Sequence, residues 1–168
     1  MKNVVALATL LVSFSAVSAA QADTYSNLLD KSSQAIISEK WRTGLAATRD
    51  LLELPNLTSA QKAVGLNHLC IHLSQVGRNA QAIQACNASI ALDAGDWGAH
   101  VNRGNALSAA GFRIAAKGSY RKAEELNPTS SMIEVAESMQ PQTPYVFGRP
   151  MTGAGVQQAQ DKQVLAEE

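Results

Sequence analysis

The side chains best suited to chemistry lie between His68 and Cys86. Cys70 and Cys86 are the only two cysteines, sixteen residues apart, and His68 and His72 flank Cys70. Such residues could ligate a metal, form a catalytic thiol pair or form a disulfide. A catalytic pair usually has the spacing C-x-x-C, which is absent.

The histidines leave a metal site as one alternative. On a helix, His68 and His72 would share a face because they are four residues apart. Cys70 would point about 200° away from His68, so it does not easily join them at one metal. We therefore expect a protein without a metal or cofactor. A metal site built from His68 and His72, with His100 as a further ligand, is the minor alternative.

The segment 1–22 resembles a secretory signal. Lys2 gives a positive start, Val4 to Val12 form an apolar run, and Ala20–Ala22 fit a small-x-small cleavage site. We therefore expect residues 1–22 to be removed and the mature chain to begin at Asp23, in a periplasm or outside the cell. No stable membrane insertion is expected after cleavage. An exported protein meets an oxidising compartment, in which cysteines tend to pair.

The mature chain would have 146 of the 168 residues, which suits a single domain. Loss of Lys2 leaves 13 basic and 14 acidic residues, so the overall charge gives no drive toward nucleic acid. The sequence contains no G-x-S-x-G, H-E-x-x-H or Walker motif. An enzyme is not expected.

Internal repetition, with a period of about 34 residues, organises the middle of the chain. It relates Leu73 to Leu107, Gly77 to Gly111, Ala82 to Ala116, Cys86 to Tyr120 and Leu92 to Leu126. The copy at 97–130 resembles a tetratricopeptide repeat (TPR), because Gly104, Gly111, Ala116, Tyr120, Ala123 and Pro128 match that family's pattern. The copy at 63–96 keeps part of the pattern. A degenerate copy at 24–57 has a longer offset, by four positions, which relates Gly44 to Ala82 and Leu54 to Leu92.

The resemblance implies an all-α fold: a short right-handed α-solenoid of three helical hairpins. Helices are expected at Thr24–Glu39 and Trp41–Leu54 in the first copy, and Thr58 with Gln61 should cap the next helix. A capping helix is expected at 131–139, which completes a domain at 23–140. A flexible tail would follow at 141–168, in which Tyr145–Pro150 either lies against the repeats or serves as a free recognition segment.

The resemblance also favours the disulfide. In a TPR hairpin, Cys70 and Cys86 would face inward at equal distances from the turn near Arg78, which suits a disulfide. The closed loop of about 15 residues would then contribute around 3 kcal/mol.

A partner-binding groove is the functional site that the resemblance implies, since TPR arrays present the first helix of each repeat on a concave face. The groove residues expected here are Asn67, His68, Ile71, Gln75, Val101, Asn102 and Asn105. Some TPR proteins hold a peptide's terminal carboxylate with asparagines and lysines, but lysines are missing from the matching positions.

We therefore expect an exported interaction module that binds a peptide or partner protein. The alternatives are a self-assembling repeat protein, with homo-oligomers, and the histidine metal site. Arg113, Lys117 and Arg121 form a basic stripe on the expected convex side. It is interpreted as a solvated face, with an acidic partner or lipid headgroup as the other option.

Overall fold

The computed structural model describes the backbone of residues 2–128, the side chains of residues 20–128 and the backbone of two short strands. Its helices are α1 (Lys2–Ile37), α2 (Trp41–Leu52), α3 (Ser59–Gln75), α4 (Asn79–Leu92), α5 (Trp97–Ala109) and α6 (Arg113–Leu126). Strands β1 (Tyr145–Val146) and β2 (Arg149–Pro150) pair antiparallel. The predicted capping helix at 131–139 and most of the predicted tail lie outside the described residues.

The six helices form three antiparallel hairpins, which confirms the all-α repeat fold. The expected helix ends are close: α2 ends at Leu52 instead of Leu54, and α1 ends at Ile37 instead of Glu39. Helix α1 begins at Lys2, so the expected cleavage site near Ala22 lies within it. No helix in the described part of the chain is long and apolar enough to cross a bilayer.

The three hairpin turns share one backbone solution. Glu39, Gly77 and Gly111 each adopt a positive φ, of 57°, 77° and 82°. The residue after each of them donates its backbone N–H to a carbonyl five residues back, as in Lys40 to Ala35 and Arg78 to Leu73. These bonds satisfy carbonyls at the helix end and reverse the chain.

The expected capping box begins α3. The Thr58 hydroxyl accepts the backbone N–H of Gln61, and the Gln61 side chain accepts the backbone N–H of Thr58. This cap fixes the start of the second hairpin after the four-residue offset in the repeat.

The hairpins stack into a curved array with a buried core between them. Helix α3 contacts α1 and α5, whereas no comparable contact joins α2 to α4 or α4 to α6 among the described residues. The first helices are therefore closer together than the second helices. Helices α1, α3 and α5 accordingly line the inner, concave side.

Candidate functional site

The two cysteines are joined in the structure. Cys70 on α3 and Cys86 on α4 form a disulfide with their Cα atoms 5.2 Å apart, and both are fully buried. They lie in a core with Leu45, Leu73 and Ala82. The disulfide links the two helices of the second hairpin and leaves no free thiol to act as a nucleophile or metal ligand.

The equivalent position in each hairpin is filled by a different contact. In the first hairpin the hydroxyls of Ser32 and Thr48 are 2.7 Å apart. In the third hairpin Gly104 faces Tyr120, and a Cβ on this glycine would lie only 2.3 Å from the tyrosine ring. Both pairs have the same sequence separation as the cysteines. The same two positions therefore face each other in every hairpin, and a different pair of side chains fills them each time.

The histidines converge on a serine. The Ser32 hydroxyl lies 3.0 Å from His68 Nδ1 and 3.0 Å from His72 Nε2. Ser32, His68 and His72 are all buried, so this cluster joins α1 to α3 inside the first inter-repeat interface. His68 was expected in the groove, but the structure places its ring in this interface.

Burial holds both histidines neutral. Desolvation lowers the pKa of His68 to about 4 and that of His72 to about 3, and the neighbouring His68 contributes to the second shift. The ring of His72 packs directly on Gly44, where any Cβ would collide with it. The cluster is thus a hydrogen-bonded packing element of the interface.

His100 lies elsewhere. It is on α5, and its Nε2 is 3.2 Å from the carbonyl of Ala94. No group of three or more metal-ligating side chains occurs in the part of the chain that the structure describes. The structure therefore brings His68 and His72 together but does not add His100 to them.

A chain of amides links the concave side of two repeats. Asn102 Nδ2 on α5 donates to Asn67 Oδ1 on α3 at 2.9 Å. Asn67 Nδ2 donates in turn to Asp96 Oδ2 at 3.1 Å. Desolvation raises the pKa of Asp96, whose carboxylate also accepts the N–H of Ala99. These bonds fix α3 beside α5 and use part of the asparagines' hydrogen-bonding capacity.

The other expected groove residues form two parts: a buried floor of Ile71, Val101 and Asn105, and a half-buried rim at Gln75. Asn105 accepts a hydrogen bond from the Tyr120 hydroxyl at 2.9 Å, and Ile71 and Val101 are buried. Gln75 is half-buried, and its side-chain oxygen is buried with no hydrogen-bond partner among the described residues. The rim is therefore the more accessible part of this surface.

Sequence reasoning missed one rim residue. Ile37 at the end of α1 is 66% exposed. In the repeat, Ile37 of the first copy corresponds to Gln75 of the second copy, and Gln75 corresponds to Ala109 of the third copy. The repeat therefore places all three at one position. This correspondence was the signal that could have identified Ile37.

An extended segment of the same chain lies beside α5. Strand β1 contacts α5 and has no comparable contact with α6 among the described residues. Helix α6 backs α5 on the convex side. The Tyr145–Val146 backbone therefore lies on a side of α5 that α6 leaves accessible.

The positions of α3 and α5 that are expected to face the groove hold no lysine or arginine. These positions hold Asn67, His68, Ile71, Ser74 and Gln75 on α3, and Val101, Asn102, Asn105, Ser108 and Ala109 on α5. Arg103 points toward the second helices, with Nε 3.0 Å from Ser119 Oγ and Nη1 3.3 Å from Asn87 Oδ1. These ten positions of α3 and α5 therefore hold amide, hydroxyl, imidazole and apolar side chains, without a lysine or arginine.

Comparison with known proteins supports the repeat architecture through structure. No family model matches the sequence, and no curated protein matches it. The Arabidopsis OM64 TPR domain is 19% identical with a TM-score of 0.63, over 70% of this chain and 94% of that one.

Two further solved structures have the same fold. The first TPR of Spaghetti (RPAP3), bound to the HSP90 peptide SRMEEVD, is 18% identical with a TM-score of 0.62, covering 70% of this chain and 90% of that one. A Thermobaculum terrenum O-GlcNAc transferase mutant is 27% identical with a TM-score of 0.62 over 69% of this chain. The match spans only 22% of the transferase chain.

Proposed function

We propose that this chain, which has the tetratricopeptide-repeat fold, is an interaction module that binds a peptide or partner protein on its concave side. The observation that carries the proposal is the concave side formed by α1, α3 and α5, whose floor holds buried amides and whose rim, at Ile37, Gln75 and Ala109, is exposed or half-buried. The RPAP3 domain, a fold neighbour, binds a peptide. Helix α5 of this chain already has an extended segment, β1, beside it.

The chemistry of the surface favours an internal, extended peptide segment. A terminal carboxylate is held most strongly by charge-assisted hydrogen bonds. The groove-facing positions of α3 and α5 have no lysine or arginine to provide such bonds. The Asp96 carboxylate beside Asn67 would further repel an anion. The half-buried amide of Gln75, which both donates and accepts, instead suits a peptide backbone.

A pull-down with matched arginine variants tests this proposal. The groove variant is Gln75→Arg with Ala109→Arg, which places two bulky charges on the rim. The control is Gln84→Arg with Ala88→Arg, which makes the same two changes at exposed positions of α4. Circular dichroism verifies that both variants keep their helices.

We expect the wild-type protein and the control to capture the same partner from an extract of the native compartment, and the groove variant to lose it. Equal capture by both variants would contradict a groove-bound partner. Failure of the wild-type protein to capture any protein would favour self-assembly, which sedimentation of the purified protein would reveal as an oligomer.

We propose in addition that the protein is exported to a periplasm or out of the cell. Lys2, the apolar run from Val4 to Val12 and the Ala20–Ala22 site support export. The Cys70–Cys86 disulfide is compatible with an oxidising compartment.

A further inference from the structure

Two exposed apolar side chains stand out at the start of the last described helix. Ile114 is 90% exposed and Phe112 is 59% exposed. They lie on either side of Arg113, where the α5–α6 turn enters α6. Water-exposed phenylalanine and isoleucine so close together are unfavourable unless another surface covers them.

Three cations follow along α6 from the position of these side chains. Arg113, Lys117 and Arg121 follow one another at four-residue intervals and therefore share one edge of α6. Lys122 is engaged with Glu125 at 2.9 Å, but none of these three makes an ion pair or side-chain hydrogen bond with another described residue. The nearest acidic residues along α6 are Glu124 and Glu125, one turn after Arg121, and Glu125 is engaged with Lys122.

The cations and the apolar side chains share the outer side of the array. Helix α6 buries Ala116, Ser119, Tyr120 and Ala123 against the rest of the protein. At about 100° per residue, Ile114 and Arg121 point away from that buried face, with Lys117 at its edge. The outcome is a convex projection with apolar side chains at its end and positive charge beside them.

The preceding repeat lacks this combination. The equivalent residues one period earlier are Arg78, Asn79, Ala80, Ile83 and Asn87, with a single cation and no exposed large apolar side chain among them. The feature therefore belongs to the third hairpin and is not imposed by the repeat itself.

We propose that the surface formed by Phe112, Arg113, Ile114, Lys117 and Arg121 binds an anionic lipid surface as a peripheral contact. Positive side chains are attracted to anionic headgroups, and apolar side chains beside them enter the headgroup boundary. A lipid surface deforms around a convex projection, whereas a partner peptide would need a concavity to bury Phe112 and Ile114. The contact is independent of the concave side, since α6 lies behind α5.

Vesicle co-sedimentation of the full chain provides the test. Binding to phosphatidylcholine vesicles is the baseline, and binding to vesicles that also contain phosphatidylglycerol gives the anion-dependent increment. Each Lys or Arg near such a surface strengthens binding about fivefold. Substitution of all three cations, Arg113→Asn, Lys117→Gln and Arg121→Asn, should weaken the increment about a hundredfold.

The matched control removes the same charge elsewhere. Arg42→Asn, Arg49→Asn and Lys62→Gln are at exposed positions outside α6, and this variant has the same net charge. We expect it to retain most of the increment. An equal loss in both variants would overturn the proposal, because the effect would then arise from net charge alone.

A tryptophan at position 114 tests the apolar part. Brominated lipids should quench the added fluorescence of Ile114→Trp, and should leave that of Ala80→Trp, the equivalent position in the second hairpin, largely unquenched. Equal quenching at the two positions, or none at 114, would overturn the proposal. The proposal would also be overturned if the α6 variant lost an acidic protein partner but bound vesicles as well as the wild-type protein does.

Discussion

At the residue scale, one position in each hairpin decides how its two helices are joined. Ser32 and Thr48 share a hydrogen bond, Cys70 and Cys86 form a disulfide, and Gly104 packs on Tyr120. Only the disulfide is covalent. It therefore makes the second hairpin the one whose stability responds to reducing agents.

Replacement of both cysteines should measure this contribution. Cys70→Ala with Cys86→Ala should lower the free energy of unfolding by about 3 kcal/mol, because the unfolded chain is no longer restrained by the cross-link. Cys70→Ser with Cys86→Thr recreates the pair of the first hairpin and should recover about 1 kcal/mol through a hydrogen bond. Urea unfolding checks both values, and an unchanged stability in the alanine variant would contradict the structural role.

The histidine cluster predicts acid sensitivity. The pKa values of about 4 for His68 and about 3 for His72 lie below the unfolded value of about 6.5. The unfolded chain therefore binds protons more readily, so stability is complete above pH 6.5 and falls as the pH decreases. Each histidine should contribute a loss of up to about 1.4 kcal/mol per pH unit.

Urea unfolding between about pH 7.5 and 5 would measure this slope above the usual pKa range of carboxylates. The His72→Gln variant keeps a hydrogen-bonding side chain beside Ser32 and removes one titrating group, so its slope should be shallower. A wild-type stability that does not change over this range would show that the histidines are not buried as neutral groups.

At this scale the sequence predicted contacts that the repeat position determines. It did not predict contacts that depend on how neighbouring repeats pack. Cys70 and Cys86 could be paired because the hairpin places them opposite each other. The convergence of His68 and His72 on Ser32 could not be predicted, because it depends on how the degenerate first repeat packs against the second. The burial of Asn67 and Asn102 likewise could not be predicted, because it depends on the packing of α3 against α5 that their mutual hydrogen bond accompanies.

At the element scale, the hairpin turns show what the repeat requires of its backbone. Gly77 and Gly111 occupy the left-handed region at little steric cost, whereas Glu39 occupies it with a side chain. No described residue lies within 4 Å of a Cβ built on Gly77 or Gly111, so substitution there is expected to act through backbone strain.

Substitutions at these turns should have opposite signs. Gly77→Ala and Gly111→Ala should each destabilise the protein by about 1 kcal/mol, and Glu39→Gly should stabilise it by a similar or smaller amount. Thermal and urea unfolding of the three variants check the signs. Stabilisation by Gly111→Ala would contradict the positive φ at this turn.

The elements were more predictable than the contacts. The repeat period and the capping box of Thr58 with Gln61 indicated the positions of α2 to α6, because local pattern and repeat geometry agree there. For Tyr145–Pro150 the sequence left two alternatives, a chain lying against the repeats or a free recognition segment. It could not choose between them, because the position of such a short segment depends on its contact with α5.

At the scale of the whole molecule, the account separates two surfaces. The concave side of α1, α3 and α5 is proposed to bind a peptide, and the outer side of α6 is proposed to contact anionic lipid. Export would place both in a compartment where the Cys70–Cys86 disulfide persists.

Export makes a direct prediction about the mature protein. Intact mass and N-terminal sequencing of protein recovered from its native host should give a chain that begins at Asp23 and is two mass units lighter than its reduced form, because one disulfide is present. A chain that retains Lys2 and two free thiols would contradict export.

Site-specific photo-crosslinking tests the central claim most directly. A photoreactive amino acid is placed at Gln75 on the rim of the concave side, and in a matched protein at Gln84 on α4. The account predicts that the captured partner crosslinks through position 75 and not through position 84, in a reaction that an excess of unlabelled wild-type protein suppresses. Crosslinking through position 84 alone would contradict the proposal that the concave side binds the partner.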